Sequence, residues 1–144
     1  MTNIGQLLKT KGNEIWSIAP QATIYEALQV MSEKDVGALL VVHKGDVVGI
    51  FSERDYARKL ILKGKFSKDT SVEELMTRKV LYVGPESTIE DCMALMTAKS
   101  VRHLPILKDE RLIGIVTLGD VVKQIISDQE FTIHQLENYI SGSY

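Results

Sequence analysis

Residues 15–61 align with residues 80–126 without a gap when the chain is slid against itself by 65 positions. Pro20 meets Pro85, Thr23 and Ile24 meet Thr88 and Ile89, and Met31 meets Met96. Val36 meets Val101, Leu39 meets Leu104, Gly49 and Ile50 meet Gly114 and Ile115, and Asp55 meets Asp120. A repeat of this kind constrains the fold more than any single motif. One copy is too small to bury both faces of its own sheet, so the chain must build one supersecondary unit twice and share a core between the two.

Each copy carries the same succession of patterns. EIWSIA and KVLYVG predict short strands ending at Pro20 and Pro85. Thr23 and Thr88 then stand three residues before Glu26 and Asp91, the capping-box spacing at a helix start. Ile24, Ala27, Leu28 and Met31 form the apolar stripe of the first helix, and Ile89, Cys92, Met93 and Met96 that of the second. ALLVVH and VVGIFS, like HLPILK and LIGIVT, are runs rich in Val, Ile and Leu separated by short polar turns, which predicts a β-hairpin in each copy. A further helix is expected after Ser52 and after Thr117. The expected fold class is α+β: two pseudo-symmetric βαββα units packed sheet to sheet, with helical extensions at both ends. The boundaries are a helical lead over 1–14, a first repeat over 15–64, a linker over 65–79, a second repeat over 80–127 and a helical tail over 128–144. TSVEELM in the linker predicts one short capped helical turn, and SDQEFTIHQLENYI an apolar-striped tail helix suited to a partner or a second subunit.

GIFSERD and GIVTLGD, at Gly49–Asp55 and Gly114–Asp120, are the repeat's chemical signature. A hydroxyl followed three residues later by aspartate is a capping box, and that alone explains both copies. The same geometry serves a ribonucleotide. A helix N-terminus offers free N–H groups to a phosphate, and a carboxylate one turn in accepts from both ribose hydroxyls. Both readings stay open on the residues alone.

Together with VEELMT, SVRHLPIL and GIVTLGDVVKQII, the doubled unit resembles a tandem pair of CBS domains, a Bateman module, from about Gly12 to Ile126. The resemblance implies two βαββα units leaving two clefts that bind adenosyl ligands such as AMP, ADP, ATP, S-adenosylmethionine or NAD(H). It assigns the ribose to Asp55 with Ser52 and to Asp120 with Thr117. Ile50 and Ile115 would flank the base. Ala38 and Leu39 in one copy, and His103, Leu104 and Pro105 in the other, would line the clefts. The resemblance also implies a homodimer formed through the helices that follow the motifs.

The copies differ where charge matters. Glu53-Arg54 becomes Leu118-Gly119, and Gly37-Ala38 becomes Arg102-His103. If the sheets face each other, Arg54 and Arg102 converge on one phosphate, with Arg58 and Lys79 close in sequence; arginine's planar donors suit that task. The plainer reading pairs Arg54 and Arg58 with Glu53 and Asp55 on a helix surface. Leu118 and Gly119 leave the second site the easier one to enter. His103 is expected against a base or phosphate, or else as a strand-end surface histidine.

Other residues have structural readings. Cys92 and the methionines are core by their stripe, and Trp16 packs on the first strand. Three scattered histidines and one cysteine give no spacing for a transition-metal site. No nucleophile–base set, no Walker-type glycine loop and no paired carboxylates are present, so the chain is expected not to be an enzyme and to need no catalytic cofactor. With 17 basic and 19 acidic residues, net charge −2, it has no electrostatic case for nucleic acid or an anionic membrane. One cysteine, no secretory leader pattern and no apolar run long enough to span a bilayer point to the cytoplasm. Three functions compete: a regulatory module sensing energy or redox state through adenine nucleotides or NAD(H), a structural dimerisation module whose motifs are only helix caps, and a small nucleotide-processing enzyme.

Overall fold

The computed structural model describes residues 2–142. Met1, Ser143 and Tyr144, the outer limits of the two expected extensions, lie outside the described residues. The chain divides into two compact units: residues 15–80 form one, and the residues up to Glu14 together with those from Leu81 onward form the other.

In the unit of residues 15–80, β1 (Ser17–Ile18) runs parallel to β2 (Ala38–His43), which pairs antiparallel with β3 (Asp46–Ser52) in the order β1-β2-β3. Helix α2 (Ile24–Lys34) starts at Thr23, whose hydroxyl accepts from Glu26 N, and buries Ile24, Ala27 and Met31. Lys44 and Gly45 both have positive φ, 51° and 83°, so the hairpin closes in the two-residue turn that matches strand twist. After Ser52 come a single turn α3 (Glu53–Asp55), a π-helical turn over Tyr56–Leu60 and a 3-10 turn over Ile61–Lys63. The core gathers Leu39, Val41, Phe51 and Leu60 with Val72 and Leu75 from the short α4 (Val72–Leu75). The turn predicted from TSVEELM is therefore present, but Ser71 makes no side-chain cap; the buried Thr70 donates instead to Phe66 O.

The other unit repeats the plan with two differences. Helix α5 (Ile89–Lys99) has the complete capping box of Thr88 and Asp91, and β4 (His103–Lys108) pairs antiparallel with β5 (Arg111–Thr117). The strand predicted from KVLYVG is reduced to one parallel bridge, Val83 to Ile106, so this sheet has two strands. The helix after Thr117 does not end near residue 127: α6 (Leu118–Ser141) runs unbroken for 24 residues. Between Gly119 and Gly142 it meets no glycine or proline to interrupt its propensity. Only Val121 on it is buried, with Leu118 and Ile125 packed on the core.

The lead and the linker do the same job for different copies. Asn3 bridges Thr88 as Ser71 bridges Thr23. Ile4 and Leu7 of α1 (Ile4–Lys11) are buried in the core of the unit that holds the second repeat, as Val72 and Leu75 are in the first. The motif glycines explain the close docking. A Cβ on Gly49 would stand 2.6 Å from Met76 Sδ and 3.0 Å from Thr77 O, and one on Gly114 would stand 2.8 Å from Leu8 Cδ2. Neither glycine has positive φ, so both are needed for space.

Candidate functional site

Both motifs sit where a strand becomes a helix, and in both the hydroxyl is the N-cap. Ser52 and Thr117 accept from the N–H groups of Asp55 and Asp120, while each aspartate's Oδ2 accepts from the backbone N–H of its own cap residue, at 3.0 and 2.9 Å. Capping is thus part of what these residues do. The difference lies in what remains of each carboxylate.

Asp55 is 8 % exposed and its oxygens are fully engaged within the fold. Oδ2 also accepts from Ser52 Oγ at 3.1 Å, and Oδ1 accepts from Lys59 Nζ at 2.9 Å and Thr77 Oγ1 at 3.2 Å. Its ionic partner is Lys59, four residues on, instead of the neighbouring Arg58. Beside it Ile50 and Thr77 exchange two backbone hydrogen bonds, of 2.9 and 2.8 Å, so the linker also closes the edge of β3. Asp55 with Ser52, expected to grip a ribose, thus has each carboxylate oxygen already bonded within the fold, and a ligand there would have to displace those partners.

Asp120 is more open. Its side chain is 22 % exposed, and Oδ2 holds both the Thr117 N–H and the Lys11 ammonium, the latter at 3.0 Å. Among the described residues no donor reaches Oδ1. Besides its pairing with Pro105 in the hairpin, Ile115 makes no isolated bridge like that of Ile50 with Thr77 among the described residues; its carbonyl accepts from Lys11 Nζ at 2.6 Å. The cause is helix length. The linker leaves α4 after one turn and runs extended past Ile50, whereas α1 stays helical to Lys11, so a side chain replaces a strand. Lys11 is the residue sequence reasoning missed. Its contact spans more than a hundred positions; Lys59 was missed as well, though its i+4 spacing from Asp55 is a signal that could have found it.

His103 pairs with Thr117 across β4 and β5. Burial lowers its pKa; the Asp120 carboxylate pulls the other way, and Lys11 and Arg102 add to the lowering. His103, Asp120, Lys11 and Arg102 therefore share one electrostatic neighbourhood. Arg102 is exposed, and its carbonyl accepts from Leu118 N at 2.9 Å. Leu104, expected to line the cleft, is wholly buried in the core, and Pro105 and Ala38 are buried too. Arg54 is half-buried on α3, and Lys79 is exposed with no hydrogen bond or ion pair among the described residues. A hollow of about 400 Å³ in the first-repeat unit, lined by Leu28, Met31, Asp35 and Gly37, touches the motif only at Glu53.

Cys92 is wholly buried, and burial followed by Asp91 pushes its thiol pKa up to about 11. That is the packing role its stripe predicts, not a nucleophile's. Trp16 packs against the first core, with Lys34 Nζ 4.5 Å from its ring centroid. No helix among the described residues is long and apolar enough to cross a membrane.

A family model described as the CBS domain matches this chain twice, over residues 8–62 and 72–127. The CBS domain-containing protein CBSX3, mitochondrial, of Arabidopsis thaliana is 38 % identical over 99 % of this chain and 74 % of its own length. A solved protein with CBS domains from Burkholderia ambifaria MC40-6 is 47 % identical with a TM-score of 0.86, covering 89 % of this chain and 96 % of that one. The CBS domain pair of protein MJ0100, solved with 5′-methylthioadenosine and S-adenosyl-L-methionine, shares the fold at 23 % identity and a TM-score of 0.77, covering 89 % of this chain and 98 % of that one.

Proposed function

The chain belongs to the CBS domain family, and on that premise we propose that it is a non-catalytic sensor of an adenosine nucleotide, AMP, ADP, ATP or NAD(H), bound at the second motif. One observation carries the proposal: among the described residues no donor reaches one oxygen of Asp120, and no isolated bridge covers the strand edge beside it, while both oxygens of Asp55 are taken. A carboxylate whose acceptor capacity is unused can take sugar hydroxyls; a saturated and buried one must first lose its own partners. Thr117, which caps the helix with Asp120, Ile115, whose carbonyl shares Lys11 with it, and His103 and Arg102, which share its electrostatic neighbourhood, are the further candidates for sugar, base and phosphate contacts. The adenosyl ligands of the MJ0100 pair support the ligand class. The setting proposed is a reducing one, the cytoplasm, since the lone Cys92 is a buried thiol.

The module would act as a homodimer. Val122, Ile126, Ile133, Leu136 and Ile140 of α6 are 38–84 % exposed and fall at alternating four- and three-residue steps once Gln129 is counted. That is the seam of a two-helix coiled coil, with isoleucine at one core position and Val122, Gln129 and Leu136 at the other. The occupant this pattern specifies is a second copy of the same helix.

Calorimetric titration with AMP, ATP and NADH tests the ligand reading. Binding that survives Asp55→Ala and disappears in Asp120→Ala is expected. No heat at millimolar ligand would leave the motifs as helix caps, and the structural dimerisation module would stand in place of the sensor.

A further inference from the structure

Lys11 reaches the second motif from a separate helix, whereas the ion pair of the first motif comes from Lys59, four residues after Asp55. Its ammonium lies 3.0 Å from Asp120 Oδ2 and 2.6 Å from the Ile115 carbonyl, on a side chain only 24 % exposed. At the first motif the linker backbone closes the strand edge, and Lys59 comes from the same helical segment as Asp55. At the second, one mobile side chain from α1 meets both the ribose-type carboxylate and the edge carbonyl. A ligand that engages Asp120 with two hydroxyls must compete for Oδ2, where Lys11 sits.

The charge balance then decides which ligands gain. Sugar hydroxyls are neutral donors: they satisfy the carboxylate's lone pairs but leave the Lys11 charge without its counter-ion in a partly desolvated place. Arg102 stands in the same field with the same sign. A neutral nucleoside therefore loses an ion pair and returns none. A nucleoside carrying phosphate supplies the missing anion, and a lysine on a flexible four-carbon stem can turn from carboxylate to phosphate. We propose that Lys11 is the specificity-determining residue of the second-motif site, selecting phosphorylated over neutral adenosine ligands by exchanging Asp120 for a ligand phosphate. This rests on the nucleotide-binding reading above.

Equilibrium binding of AMP and adenosine to the full chain and to Lys11→Met and Lys11→Arg variants tests it. The wild type should hold AMP at least about tenfold more tightly than adenosine, as expected for one charge-assisted contact. Lys11→Met should weaken AMP, strengthen or leave unchanged adenosine, and bring the two within about threefold, with Lys11→Arg restoring the preference. An AMP preference that persists in Lys11→Met, or equal loss of both ligands, would overturn the role of Lys11 and leave the site itself standing. Failure of the wild type to bind either ligand would overturn both. Thermal unfolding of each variant without ligand shows whether a loss is one of folding, and Lys11→Arg then carries the comparison.

Discussion

Asp55 and Asp120 stand at the same place in the repeat and cap their helices with the same bonds, yet one carboxylate is closed and the other is open. The consequence is a split between stability and binding. Asp55→Ala removes a cap, two hydroxyl hydrogen bonds and a half-buried ion pair at once. It should destabilise the chain by about 2–3 kcal/mol, read from the denaturant midpoint at unchanged slope. Asp120→Ala should cost nearer ~1 kcal/mol, the usual worth of a cap. His103 adds a pH dependence. Its pKa is lowered in the folded chain, chiefly by burial, so the unfolded chain takes up the proton first as pH falls. Stability is complete above the ordinary histidine range, about 6.5, and is lost as pH drops from there through the folded value. His103→Asn should flatten that part of the melting-temperature profile; an unchanged slope would assign it to other groups.

Elements explain why two equivalent motifs diverged. Both β3 and β5 present a glycine against which a segment from outside the hairpin docks, Met76 after α4 on Gly49 and Leu8 of α1 on Gly114. Gly49→Ala should cost roughly 1–3 kcal/mol by overpacking, because the backbone of Thr77 cannot yield as a side chain can. Gly114→Ala should cost less, since Leu8 can change rotamer; equal losses would mean the helices dock by some other contact. The repeat, the helix caps, the hairpins and the buried stripes were legible because each rests on local spacing. What escaped was the work of α1. Ile4 and Leu7 complete a core most of whose other members lie about eighty or more residues later, and Lys11 reaches Asp120 across more than a hundred positions. No local pattern encodes such a pairing. The strand expected from KVLYVG failed for a related reason: its residues have strand propensity, but only Val83 gains a partner.

At the scale of the whole molecule, α6 would link the proposed binding site to the proposed dimer contact. Its first turn carries Asp120, and its last three turns project Ile133, Leu136 and Ile140 into solvent on the same continuous helix. Ile133→Glu should shift the chain from dimer to monomer in sedimentation while leaving its circular dichroism intact at the core. A dimer undisturbed by that change would move the interface elsewhere. On the proposed reading, a helix with Asp120 at one end and a subunit contact at the other would give a nucleotide a route to quaternary structure. The response is limited by the ligand's differential affinity for the two arrangements.

The central claim is that the second motif binds and the first only builds. Equilibrium dialysis of AMP against the wild-type chain and the Asp55→Ala variant counts sites directly. One AMP per chain in both proteins is the expected result, and two per chain in the wild type, falling to one in Asp55→Ala, would contradict it.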